Sequence, residues 1–154
     1  MNEAYTQAEQ FLNEVFERSG LELRAEASES ADACILNLEG EDAALLRSEG
    51  GELLDAFEHL VNQSFGRELN QGERFICDVG SFRAMRETEL RAMARHAADR
   101  VRNSGVPFTF GPMNANERRV IHLALADDEK LFTESVGEGN ERRLKVSLKK
   151  ADKN

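Results

Sequence analysis

PMNANERRVIHLALADD, residues 112–128, is the stretch on which the reading of this chain turns. Asn114 offers a side-chain oxygen to a helix start, and Glu117, three residues on, supplies its reciprocal capping partner. The helix is expected to run to about Ala126. Four residues apart on it, Arg118 and His122 fall on one face. Arginine presents a planar fork of donors that fits phosphate and can stack on a base. Histidine adds a second ring and its own donor or acceptor. Asn114, Arg118 and Arg119 lie in the first two turns, where free backbone N–H groups favour an anion. Two other readings stay open from the residues alone. Arg118 could pair with Asp127, Asp128 or Glu129, and His122 could be a core histidine bonded to backbone.

Downstream, LFTESVGEGNERRLKVSL (residues 131–148) reads as a hairpin, Leu131 to Val136 and Arg142 to Leu148, around Gly137-Glu138-Gly139-Asn140. Period two puts Arg143 and Lys145 on one face of the second strand, away from Leu144, Val146 and Leu148. Arg142, at the turn, can reach either way. These cations and the Arg118–His122 face are expected to form one nucleic-acid-binding surface. Upstream, Ser104-Gly105-Val106-Pro107 breaks a long helix from about Phe82 to Asn103, and Phe108 to Phe110 is a short strand. On the long helix Leu90, Met93, Ala94, Ala97 and Val101 share an apolar arc, while Arg91, Arg95 and Arg102 stand on another, read as a solvated face.

Further out, the first half reads α-β-β-α-α-β. Residues 4–19 carry the helical stripe Ala4, Ala8, Phe11, Leu12, Val15 and Phe16, closed by Gly20. Leu21 to Ala27 alternates as a strand, Glu29 to Asp32 turns, and Ala33 to Leu38 returns as its hairpin partner. Glu41 to Arg47 and Glu52 to Phe65 are helices separated by the loop Ser48-Glu49-Gly50-Gly51, and Phe75 to Val79 is a third strand. Charge divides along the same line. Residues 1–80 hold 18 acids against 5 bases, −13, and residues 81–154 hold 11 acids against 15 bases, +4, so the net −9 hides a basic half.

The element order and the loop resemble a bacterial-type KH domain, whose GxxG loop lets the backbone approach phosphates at a helix start. Gly51 stands at the second glycine, but Ser48 replaces the first and Glu49 a basic residue. The resemblance therefore implies a KH-like fold whose loop is repelled by phosphate, with Ser48, Glu49, Gly50 and Gly51 as a degenerate remnant. The second half resembles the R-3-H domain, with Arg118 and His122 at its name-giving positions. KH followed by R-3-H is the order of the Jag family, and the resemblance covers roughly residues 5–148, without the separate N-terminal segment many members carry.

The expectation is thus an α+β chain of two small domains, residues 1–80 KH-like and residues 81–149 R-3-H, with residues 150–154 a frayed tail. The resemblance implies a cytoplasmic regulator that binds single-stranded RNA or DNA. An adaptor using the acidic half to meet a protein partner is the other expectation. Hydrophobic content of 40% with no long apolar run excludes membrane insertion, and the polar, acidic N-terminus is no secretory signal. Cys34 and Cys77 lie in apolar strands, as buried thiols. Ser135 lacks the Gly-x-Ser-x-Gly context, the 137–139 turn lacks a third glycine, and no His/Cys/Asp group has metal spacing. His59 and His96 have no partner pattern. No enzyme activity and no cofactor is expected. Aromatics at 6% with no Trp argue against an extended stacking platform, leaving phosphate-directed, salt-sensitive binding.

Overall fold

Helix α1 (Glu3–Ser19) begins where the Asn2 side chain accepts the Ala4 N–H at 2.9 Å, and closes where the Leu21 N–H reaches back to the Phe16 carbonyl at 3.0 Å. Its buried stripe is Ala4, Tyr5, Ala8, Leu12 and Phe16. The computed structural model describes residues 2–150 and divides the chain into two compact units, one ending at Arg83 and one beginning at Ala84. Residues 151–154, most of the expected tail, lie outside the described residues.

In the first unit, β1 (Arg24–Ser30), β2 (Ala33–Glu39) and β3 (Arg74–Asp78) form a sheet in that order, antiparallel then parallel. Helices α2 (Ala43–Arg47) and α3 (Glu52–Phe65) lie between β2 and β3 in sequence, so the order is the α-β-β-α-α-β of the sequence reading. Two details differ. The first strand starts at Arg24, leaving Leu21 and Leu23 half-buried ahead of it, and it continues to Ser30. The expected turn shrinks to Ala31-Asp32, because Glu29 and Ser30 pair with Cys34 and Ala33. Ladder hydrogen bonds outweigh the weak strand preference of those polar residues.

Both outer edges of this sheet are occupied by helix side chains. On β1, the Asn13 amide bonds both backbone groups of Ala25, at 2.8 and 3.1 Å, and Glu9 accepts the Ala27 N–H at 2.7 Å. On β3, Asn62 does the same for Phe75 at 2.8 and 2.9 Å, and Glu58 accepts the Cys77 N–H at 3.0 Å. The geometry matches because four helical residues rise about 6 Å and two strand residues about 6.7 Å. Cys34 and Cys77 are buried, and burial pushes both thiols up to about 12.

The second unit holds most of α4 (Phe82–Ser104), then β4 (Phe108–Thr109), α5 (Ala115–Leu125), β5 (Leu131–Val136) and β6 (Arg143–Leu148). Its strands are antiparallel in the order β4-β6-β5. Leu90, Ala94, Ala97, Ala98 and Val101 of α4 join Ile121 and Leu125 of α5 over Leu131, Leu144 and Val146. Met93 is not in that core: the arc turns through Ala98, whose small side chain allows close approach, and Met93 is left 38% exposed. The pairing register assigns the sheet's faces. Leu131, Thr133 and Ser135 share the core face with Leu148, Val146 and Leu144, while Phe132, Glu134 and Val136 share the other with Ser147, Lys145 and Arg143. Among the described residues no helix is long and apolar enough to cross a membrane, and no His/Cys/Asp/Glu group could hold a metal.

Candidate nucleic-acid interface

Helix α5 starts as the sequence implies: Asn114 has extended backbone and its side-chain oxygen accepts the Glu117 N–H at 2.9 Å. The Glu117 carboxylate is buried and pairs with Arg86 at 2.7 Å, an ion pair that fastens the start of α5 to α4. Burial opposes the charge on Arg86, but the hydrogen bonds and charges of Glu117 and Glu89 together outweigh it and raise its pKa. This pair escapes sequence reasoning, which sees Glu117 only as a capping residue.

Arg118 and His122 are held by two hydroxyls of β5. The Arg118 guanidinium donates to Ser135 Oγ at 3.2 Å and to the Met113 carbonyl at 2.5 Å, and His122 Nδ1 shares a hydrogen bond with Thr133 Oγ1. Thr133 and Ser135 are two apart on a strand, and Arg118 and His122 four apart on a helix, so the two spacings again coincide at roughly six to seven ångströms. The two alternatives left open by the residues are not what forms. His122 is exposed rather than in the core, and both of Arg118's partners are neutral oxygens rather than Asp127, Asp128 or Glu129. Asp128 instead pairs with Arg102, which also bonds Asp99.

Arg119 is exposed one residue along, and Arg142 joins the same end: its backbone carbonyl accepts the Met113 N–H at 3.0 Å, on the residue whose own carbonyl holds Arg118. Asn114, Arg118, Arg119 and His122 thus belong to α5 and its cap, and the Arg142 backbone adjoins the helix start while its guanidinium turns to the Gly137 carbonyl at 3.5 Å. Arg143 and Lys145 do not join them. They stand on the opposite face of the sheet from Thr133 and Ser135, so the single surface expected from the hairpin is two faces. The strand alternation is visible in the sequence, but which side α5 covers is decided by packing. Of the α4 arginines, Arg91 and Arg102 are paired, with Glu87 and with Asp99 and Asp128, as a solvated helix face.

The Ser48–Gly51 loop forms one tight turn with three successive left-handed residues, Glu49 (φ 55°), Gly50 (68°) and Gly51 (89°). A Cβ at Gly51 would stand 3.0 Å from the Phe82 ring, so the ring lies against the backbone there. Ser48, at the lost first glycine, has ordinary extended backbone and needs none. The first turn of α3 already carries Glu52 and Asp55, and Asp55 is paired with Arg83 at 2.9 Å. Negative charge at this helix start is supplied from within the chain.

Residues 88–148, which include Arg118, His122 and both hydroxyls, match the R-3-H domain family. Two curated proteins named RNA-binding protein KhpB are each 30% identical over 146 residues, 94% of this chain. They are from Clostridium symbiosum, where the match covers 66% of the relative, and from Bacillus subtilis (strain 168), where it covers 70%. The chain belongs to the Jag (KhpB) family. It spans about two thirds of the length of these two relatives. A third KhpB, from Lactiplantibacillus plantarum, is 26% identical over 115 residues, 75% of this chain and 36% of that protein. In this Jag-family chain the R-3-H match begins inside α4, so α4 from Thr88 onward counts with the R-3-H part.

Proposed function

We propose that the chain binds single-stranded nucleic acid, RNA in the first place, through the α5 face of its R-3-H part, with residues 81–149 as the working domain. One observation carries the reading: Arg118 and His122 are fixed by Ser135, Met113 and Thr133 yet spend none of their charge or ring on a carboxylate. A pre-oriented guanidinium loses little entropy on meeting a phosphate. With Nδ1 of His122 engaged, Nε2 and the ring remain for a base. Arg119 and Arg142 add charge beside them, and the start of α5 adds backbone N–H groups. Unpaired strands suit this site, because their phosphates and splayed bases can reach a helix end. The KhpB relatives are named as RNA-binding proteins, which favours RNA as the ligand. A regulatory role follows from such binding when the RNA is a transcript.

The test is binding of a fluorescent 12-nucleotide single-stranded RNA by wild type and by Arg118→Ala with His122→Ala. Two charge-assisted or stacking contacts at roughly 1–2 kcal/mol each predict a loss of about 30-fold or more. Equal affinity would refute the assignment. A second reading, a protein adaptor using the acidic unit, is favoured by one specific feature. The KH-type loop carries Glu49 in a left-handed turn beside a helix start that Asp55 and Arg83 already neutralise. Failure of the wild-type chain to bind the RNA would count for that reading.

A further inference from the structure

We propose that the uncovered face of the β4-β6-β5 sheet is a second contact for the same single strand. There Phe132 stacks on a base while Arg143, Lys145 and Lys149 meet phosphates. This extends the nucleic-acid reading above and rests on it. Phe132 is 47% exposed, unlike Phe110 in the same unit at 3%. Its cross-strand partner is Ser147, too small to cover the ring. The diagonal neighbours on the same face are Lys145 and Lys149; the latter continues the ladder through its N–H to the Lys130 carbonyl at 2.8 Å. Period two places Arg143, Lys145, Ser147 and Lys149 in one row on the central strand, so its cations recur at multiples of about 6.7 Å.

Two carboxylates meet this row: Glu134 stands opposite Lys145, and the exposed Glu141 pairs with Arg143 at 3.5 Å. Phe132, Glu134, Lys145, Ser147 and Lys149 border a shallow depression of about 600 Å3. A row of cations beside a single exposed ring is the composition of a strand-tracking groove with a stacking platform. A folded protein partner would call for a broader apolar patch than Phe132 and half-buried Val136 supply. The expectation that low aromatic content argues against stacking holds for an extended platform, not for one ring.

The chain has no tryptophan, so Phe132→Trp introduces a single reporter at an exposed site in the full chain. Titrated with the 12-nucleotide RNA and followed by label anisotropy, Phe132→Trp is expected to bind the RNA and to lose indole emission on saturation. Phe132→Ala, checked for native circular dichroism, is expected to bind at least about fivefold more weakly. Binding with unchanged indole emission and an unaffected Phe132→Ala would overturn the second contact while leaving the α5 site standing, and would give the face to another partner. No binding by wild type would instead remove the parent reading, and this one with it.

Discussion

Arg118 and His122 are legible in the sequence as a spacing, but what holds them in place is a pair of hydroxyls that no spacing rule connects to them. Thr133 and Ser135 enter only once strand register and helix placement are known, because a residue eleven or more positions away becomes a neighbour through packing. Their role is to orient, so removing them should cost binding more than folding. Thr133→Val with Ser135→Ala is expected to lower affinity for the 12-nucleotide RNA by about 3- to 10-fold. Urea unfolding should shift by no more than about 2 kcal/mol, since each of the two bonds is solvent-accessible and worth about 1 kcal/mol at most. A stability loss well beyond this, with affinity per folded molecule unchanged, would make the hydroxyls structural instead.

Among the elements, the helices were readable nearly to the residue. α3 runs from Glu52 to Phe65, and α5 starts at its Asn114 cap, because periodic apolar positions and capping chemistry are local. The start of β1 was not, since alternation continues through Leu21 and Leu23 although pairing begins only at Arg24. The loop between α2 and α3 shows the same limit. Its glycine pattern is visible, whereas the left-handed backbone at Glu49 is not. A non-glycine residue there is strained by about 1–2 kcal/mol. Glu49→Gly is therefore expected to raise the unfolding midpoint in urea, corresponding to a gain of about 1 kcal/mol, and a loss of stability would contradict the strained turn. Gly51 offers no such freedom, with the Phe82 ring against it.

For the chain as a whole, the charge split was the clearest message in the sequence: −13 against +4 across residue 80. What it could not say is that the basic half divides again, by sheet face, into Arg118, Arg119 and Arg142 on one side and Arg143, Lys145 and Lys149 on the other. Salt dependence reads that division out. Three phosphate contacts give a slope of log affinity against log salt of about −2, and six give about −4. Wild type is expected near about −4 with the 12-nucleotide RNA, and Lys145→Ala with Lys149→Ala near about −3. A wild-type slope of about −1 or shallower would mean that neither face tracks the backbone.

The sealed rims of the first sheet carry a chemical liability. Asn13 and Asn62 each work in both directions, donating to a strand carbonyl and accepting from a strand N–H. Spontaneous hydrolysis of either side-chain amide to a carboxylate leaves an acceptor facing the carbonyl of Ala25 or Phe75 and removes the group that donates to it. Ageing of the protein in solution would then unzip one rim at a time, each with a mass change of about a single dalton and no break in the chain.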